Sequence, residues 1–555
     1  MHHVLRIPPA PESPLSFPVR VRTRDGVLLA ADVYLPGAPA DADTSPGDTI
    51  LIRLPYDKSG VYCFIPLIAE YFTRHGYRVV AQDVRGKFRS EGDALLFVNE
   101  VNDGYDTIEW ITRQPWSNGR VAMWGDSYYG YTQWAAAASG HPALKAIAPR
   151  VTGTALGEPV RRDDSQRTRR VEWGVTYMYP LTQFFDNDMV AWEPDWTRRD
   201  FAEQAEDFMA QVGQRGLSYD QWYPNPVLLP RFPNGDPFAG RSVPALHTIG
   251  WWDNCAPLSW ADVEQIKRHP NWDVHHYLRI EPIDHESYQL LEAEGARVME
   301  RSEQQIQDLL PRTLDPALAF FDVFVRGNGS AADVPRVSWN LAGTTGMRES
   351  ATWPPAGVRS ITRYATADGA LVAERPRSDS TLDWTHDPAD LVPSSVPDAF
   401  SYLLHLPDEA PIGERGDVLR FDSAPLAADV DLAGPATARA RIGSDGPIMD
   451  FFVRLLDVAP DGTALRIARG QQQVTDATET STVDLDLGQI GYRLQAGHRL
   501  RVHVSSSDYP EFLPQTGTGA DPWTWGATRP NIQSLIVGGS DAFALTLTIL
   551  EGDLP

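Results

Sequence analysis

Along the first 150 residues, apolar runs of strand length alternate with segments of helical period. TILIRLPY, YRVVAQDVRG, RVAMWGDS and LKAIAPR are the apolar runs; FIPLIAEYFTRHG and DGYDTIEWITRQ between them repeat their apolar residues every three to four positions. Ahead of these, VRVRTRDGVLLAADVYL sets Asp25-Gly26 between two extended segments, a hairpin signal. Strands alternating with helices predict a mainly parallel sheet covered on both faces.

The rhythm breaks over residues 155–240, where EWGVTYMYPLTQFFDNDMVAWEPDW and DFAEQAEDFMAQVG are rich in aromatics and helical character. This stretch reads as an insertion, because SVPALHTIGWWDN then resumes a strand. The alternation closes with DPALAFFDVFVRG, whose Leu318, Phe321, Phe324 and Val325 fall at helical spacing and whose Gly327 sits where a C-terminal cap belongs. From about residue 335 the runs VPRVSWNLAG, RSITRYA, TARARIG, MDFFVRLLDV, HRLRVHVSSS and FALTLTIL are short, β-type and separated by Pro, Gly, Asp and Ser. That pattern predicts an all-β sandwich or jelly roll. The expected organisation is an α/β core over 1–154 and 241–330, a helical insertion over 155–240 and a β domain over 335–555.

A chain of 555 residues is long enough for two or three such units. Its formal net charge of −25 repels phosphate backbones and argues against nucleic acid as a partner. No run approaches the roughly 18 apolar residues of a membrane span, and the first residues lack the basic flank and apolar core of a signal peptide. A cytoplasmic protein is the expectation. The two cysteines, Cys63 and Cys255, form no disulfide framework and match no metal-ligand spacing.

The chemistry centres on Gly125-Asp126-Ser127, which follows an apolar run and precedes the helix-favouring Ala135 to Ala138. Serine is a weak nucleophile at neutral pH and needs a base, itself oriented by a carboxylate. In doubly wound hydrolases these partners follow in the order Ser, Asp, His, each at or beyond a strand end. Here the run VPALHTIG delivers Asp253 in GWWDN, and VHHYLRIEP delivers His285 in PIDHES. His275 and His276 fall inside an expected strand and His247 within the preceding one, where packing is the expected role, and Asp284 shares one short loop with His285, a poor place from which to orient its ring. The generic elbow is G-x-S-x-G, but here the second glycine, Gly130, comes one position late.

GDSYYG, with RLPYDKSG and QDVRGKFRSEGD upstream and GWWD and DH downstream, resembles the CocE/NonD hydrolases. X-prolyl dipeptidyl aminopeptidases and α-amino acid ester hydrolases are related groups. The resemblance continues through LRFDSAPLAADVDLAGP, VRLLDVAPDGTALRIARG and AGHRLRVHVSSSDYPEF, and so covers nearly the whole chain. It implies an α/β-hydrolase core with an inserted helical cap and a C-terminal jelly-roll-like β-sandwich. It further implies Ser127 as nucleophile, His285 as general base, Asp253 as orienting carboxylate, and an oxyanion hole made by the Tyr56 phenol and the backbone N–H of Tyr128. Asp83, Arg85, Gly86 and Ser90-Glu91-Gly92 are expected to hold the nearby loop.

The expected activity is carboxylic-ester hydrolysis through an acyl-enzyme, with no metal or organic cofactor. An aromatic insertion points to an apolar or aromatic acyl group, with Trp173, Tyr177, Phe184 and Phe185 as candidate contacts and Tyr179 and Trp192 nearby. The rival is an amide or amino-acid ester substrate, whose ammonium would meet Glu172, Asp186, Asp188 or Glu193. A non-catalytic carbohydrate-binding protein is the reading from another class. The sequence leaves monomer and homodimer both open.

Overall fold

The structure, a computed structural model of the chain, describes residues 5–37, 41–60, 62–158, 168–169, 189–192, 194–223, 227, 229–285, 303–395 and 407–555. The described residues divide into two compact units, one drawn from 1–158, 177–193 and 207–338, the other from 159–176, 194–206 and 339–555.

The first unit is built on strands β1 (Phe17–Arg22), β2 (Leu28–Tyr34), β3 (Gly47–Leu54), β4 (Arg78–Asp83), β5 (Ser117–Asp126), β6 (Leu144–Arg150), β7 (Ala245–Gly250) and β8 (His276–Glu281). Their order in the sheet is β8-β7-β6-β5-β3-β4-β2-β1. Every pairing from β8 to β4 is parallel, whereas β2 is antiparallel to β4 and β1 to β2. The Asp25-Gly26 signal is the β1–β2 hairpin.

Alternate residues of the central strands feed two separate cores. Ile50, Ile52, Val79, Ala81, Ala122 and Trp124 enter one, and Leu51, Val80, Val121 and Met123 the other. Strands buried on both faces need a cover on each. Helix α1 (Ile65–Arg74) and helix α5 (Glu303–Phe321) close the first core with Ile65, Ile68, Phe72, Leu310, Leu314 and Phe321. Helix α2 (Glu100–Thr112) closes the second with Ile108 and Ile111. Helix α3 (Ser127–Ala138) contributes to both, Tyr131 and Ala135 to one and Trp134 and Ala137 to the other. Helix α4 (Ala256–Ile266) lies between β7 and β8.

Over 155–240, the described residues include the helices Phe201–Val212 and Leu217–Trp222. Phe201, Ala205, Phe208, Met209 and Val212 form the buried stripe of the longer helix. Met189–Ala191, inside a stretch rich in helical signals, is instead a short strand antiparallel to Leu5–Ile7, a long-range pairing that local periodicity does not encode.

The second unit is built on a β-sandwich. One sheet holds β9 (Arg359–Ala365), β10 (Ser380–His386), β12 (Val430–Ser444), β15 (Ser481–Leu494), β17 (Asn531–Val537) and β18 (Ala544–Glu551); the other holds β11 (Leu419–Asp422), β13 (Ile448–Val458), β14 (Ala464–Thr475) and β16 (Arg499–Ser505). All pairings among these strands are antiparallel. Alternating residues such as Ala436, Ala438 and Ala440 of β12 meet Phe451, Val453 and Leu455 of β13 in one apolar core.

Candidate active site

Strand β5 ends at Asp126, and Ser127 opens α3 with φ of 51°, a left-handed backbone that a serine rarely adopts. A strained strand-to-helix turn lifts the hydroxyl out of the sheet. Three contacts hold it. The Thr152 hydroxyl donates to the Ser127 carbonyl at 2.7 Å, Arg150 Nε pairs with Asp126 Oδ1 at 2.7 Å, and Gln133 Nε2 donates to the carbonyls of Gly125 and Tyr129. The ion pair follows from register, since Asp126 and Arg150 are neighbours in the parallel β5–β6 pair.

The late glycine of the elbow has a steric cause. A Cβ on Gly130 would lie 2.7 Å from Thr152 Cγ2 and 3.0 Å from the Arg150 carbonyl oxygen, so α3 can approach the end of β6 only where no side chain intervenes.

Asp253 and His285 come from the loops after β7 and β8, at the carboxyl ends of neighbouring parallel strands. Trp252 N–H donates to the Ile283 carbonyl at 3.2 Å, tying the two loops together. Gly250 permits this, for a Cβ there would sit 2.4 Å from the Ile283 oxygen. With Nδ1 carrying the proton, the His285 ring donates to Asp253 Oδ1 at 2.7 Å and accepts at Nε2 from the Ser127 hydroxyl at 2.8 Å. Asp253 Oδ1 also accepts the Cys255 N–H at 3.0 Å.

Burial of the His285 ring opposes its charged form, but the Cys255 sulfur and the Asp253 carboxylate outweigh it and hold its pKa well above the ordinary value. The charged, imidazolium form of the ring is the species these neighbours favour. Burial and the Asp253 charge push the Cys255 thiol up, while His285 pulls it down.

Tyr56 lies just beyond β3 and is buried, its ring edge-on to Tyr62 at 5.7 Å and to Tyr129 at 6.3 Å. The Tyr128 side chain points into the core, where its hydroxyl donates to Glu100 Oε1 at 2.8 Å and accepts the Phe97 N–H at 3.0 Å. Glu100 is paired in turn with buried Arg53 at 2.7 Å. Of Tyr128, only the backbone is therefore available beside Ser127.

The rival residues fall elsewhere. His247 and His276 face each other in the core at 3.2 Å, and His275 Nδ1 lies 2.9 Å from the Ser242 hydroxyl. Arg85 pairs with Asp103 and Asp25, and Asp83 accepts the Lys58 N–H at 2.9 Å. Trp192 stacks on Phe208 at 4.6 Å. Trp173, Tyr177, Tyr179, Phe184 and Phe185 lie outside the described residues, as do Glu172, Asp186, Asp188 and Glu193. Sequence reasoning missed Thr152 and the nearness of Cys255 to the His285 ring; position just past a strand end was the available signal for the first, and the two-residue step from Asp253 for the second.

The family model described as X-Pro dipeptidyl-peptidase (S15 family) matches residues 25–287, and that of the X-Pro dipeptidyl-peptidase C-terminal non-catalytic domain matches residues 328–540. Cocaine esterase of Rhodococcus sp. (strain MB1 Bresler) is 29% identical over 557 residues, covering 90% of this chain and 92% of the esterase. An α-amino acid ester hydrolase superposes with a TM-score of 0.75 at 23% identity, over 98% of each chain. A CocE/NonD family hydrolase from Staphylococcus aureus does so with a TM-score of 0.63 at 16% identity, over 96% of this chain and 93% of that one. These likenesses show an α/β-hydrolase fold with a C-terminal β-sandwich over nearly the whole sequence. Among the described residues, no helix is long and apolar enough to cross a membrane.

Proposed function

We propose that this chain is a serine hydrolase of carboxylic esters in which Ser127 attacks the acyl carbon. The observation that carries the reading is the continuous path from Ser127 Oγ to His285 Nε2 at 2.8 Å and from His285 Nδ1 to Asp253 Oδ1 at 2.7 Å.

As the Ser127 oxygen bonds to the acyl carbon, His285 Nε2 takes its proton and the carbonyl oxygen becomes an oxyanion. The Tyr56 hydroxyl and the Tyr128 N–H donate to that oxyanion. Buried donors suit this role because they need no reorganisation as charge develops. The imidazolium then protonates the leaving alkoxide as the tetrahedral intermediate collapses to the acyl-enzyme and alcohol. Water, deprotonated by the same ring, attacks the acyl-enzyme; collapse releases the acid and restores Ser127.

An apolar or aromatic acyl group is the favoured substrate. The S15 match supports a second reading, cleavage of X-Pro peptides or amino-acid esters. Turnover of a phenyl or naphthyl carboxylic ester set against a Gly-Pro arylamide separates the two; hydrolysis of the arylamide alone would sink the ester reading. A fluorophosphonate should label the wild type at Ser127 and leave Ser127→Ala unlabelled, and folded wild type that resists labelling would favour a binding protein. Cys63 and Cys255, both buried and neither in a disulfide, support a reducing, cytoplasmic setting.

A further inference from the structure

We propose that Asp253, Cys255 and His285 form an inhibitory binding site for a thiophilic divalent cation of the zinc class. The binding is inferred from the cluster itself; the inhibition rests on the triad reading above.

One carboxylate oxygen of Asp253, Cys255 Sγ and one ring nitrogen of His285 all lie within 4.8 Å of one another. Among the described residues, no other three His, Cys, Asp or Glu side chains come together in this way. Tetrahedral zinc, with bonds of about 2.0 to 2.3 Å, holds its ligand atoms roughly 3.3 to 3.5 Å apart, so a contraction of at most about 1.5 Å suffices. Thiolate, imidazole and carboxylate are the donors such an ion prefers.

A second observation points the same way. Asp253 is 4% exposed, and while its Oδ1 accepts from His285 and from the Cys255 N–H, its buried Oδ2 has no hydrogen-bond partner. A buried carboxylate oxygen left without a donor is costly to maintain and is well disposed to a cation.

Two of the ligands are held rigidly. Cys255 precedes α4, and the N–H groups of Cys255 and Ala256 bond back to Asp253 at 3.0 Å each, so Asp253 and Cys255 share one turn. The third, His285, arrives from the neighbouring loop that the Trp252 to Ile283 bond fixes. The ion therefore needs no rearrangement of strands, only small side-chain rotations.

The balance is simple. The Cys255 S–H bond breaks and a sulfur–metal bond forms, the thiol proton and any second proton on the His285 ring going to solvent; Asp253 and the neutral ring so formed each donate a lone pair. A metal on Nε2 takes the lone pair that accepts the Ser127 proton, and a metal on Nδ1 displaces the proton given to Asp253. Either way the ring ceases to be an oriented base.

The test uses the full chain at neutral pH. Zinc titrated into an aryl ester assay should reduce turnover at least tenfold, reversibly on adding a chelator. Cys255→Ala and the size-matched Cys255→Ser, each checked for folding by circular dichroism, should lose most of the zinc sensitivity, read as fractional inhibition against each variant's own zinc-free turnover. Cadmium should independently produce a thiolate charge-transfer absorption in the wild type, in Ser127→Ala and in Cys63→Ser, but in neither Cys255 variant. Zinc inhibition unchanged in the Cys255 variants, or no thiolate band in the wild type, overturns the site. A band without any ester hydrolysis would leave the metal site standing and overturn the inhibition along with the triad reading.

Discussion

The hydroxyl of Thr152 donates to the backbone carbonyl of Ser127 at 2.7 Å, so a side chain two residues past β6 holds the strained residue at the mouth of β5. The Thr152 carbonyl is itself bonded by the Ser259 hydroxyl from α4, which links the elbow to the helix that follows Asp253. Replacing Thr152 with valine keeps the shape and removes the donor, leaving the Ser127 carbonyl short of a partner at a cost of about 1 to 3 kcal/mol. Thr152→Val should melt several degrees lower and lose ten- to a hundredfold in kcat, with KM little changed. Steady-state kinetics beside a melting curve decide it, and an unaltered kcat would show that the elbow holds without this bond.

Gly130 should be less forgiving. Its added Cβ would press on Thr152 Cγ2 at 2.7 Å and on the Arg150 oxygen at 3.0 Å, both in the segment that braces Ser127. Gly130→Ala is expected to lower soluble yield or, where folded, to reduce fluorophosphonate labelling of Ser127 more than Thr152→Val does. Equal labelling rates for Gly130→Ala and the wild type would contradict the steric account.

Much of this was legible in the chain because it is local or follows from strand order. The α/β alternation, the hairpin at Asp25-Gly26 and the succession Ser127, Asp253, His285 at strand ends each need only short-range pattern and the rules of parallel sheets. What was hidden depends on long-range packing. The reason for Gly130 lies at Thr152, the strand Met189–Ala191 exists only against Leu5–Ile7, and Glu100 is tied to Tyr128 by a hydrogen bond and to Arg53 by an ion pair that only the fold brings together. Helix α5 runs through Pro311 and Pro316, residues that in the sequence argue for breaks, and the anchoring of Ile306, Leu310 and Leu314 in the core overrides them.

Tyr56→Phe isolates the phenolic oxygen. The edge-on ring contacts to Tyr62 and Tyr129 persist in phenylalanine, so the fold should be retained while one oxyanion donor is lost. Loss of such a donor costs about 2.7 to 4 kcal/mol in the barrier, or roughly a hundred- to a thousandfold in kcat. A melting temperature within a few degrees of wild type together with that drop is the expected result. Full activity in Tyr56→Phe would assign the hole to other donors.

Acid should destabilise the core through His247 and His276. The rings meet at 3.2 Å behind β7 and β8, and the Trp134 ring stands edge-on to His247 at 5.4 Å. Burial lowers the His247 pKa to about 3, and burial, His247 and the charges of Arg336 and Lys267 hold His276 well below 6.5. Below about pH 6.5 the unfolded chain therefore binds protons that the folded chain refuses. The stability these neutral rings allow is complete above that pH and declines as the pH falls toward the folded values, by up to about 1.4 kcal/mol per pH unit for each ring. Denaturant unfolding at pH 7.5, 6, 5 and 4.5 should show this decline in the wild type, and a shallower one in the double variant His247→Phe with His276→Gln. Parallel slopes in the two proteins would mean that other groups, not this pair, set the acid limit of the fold.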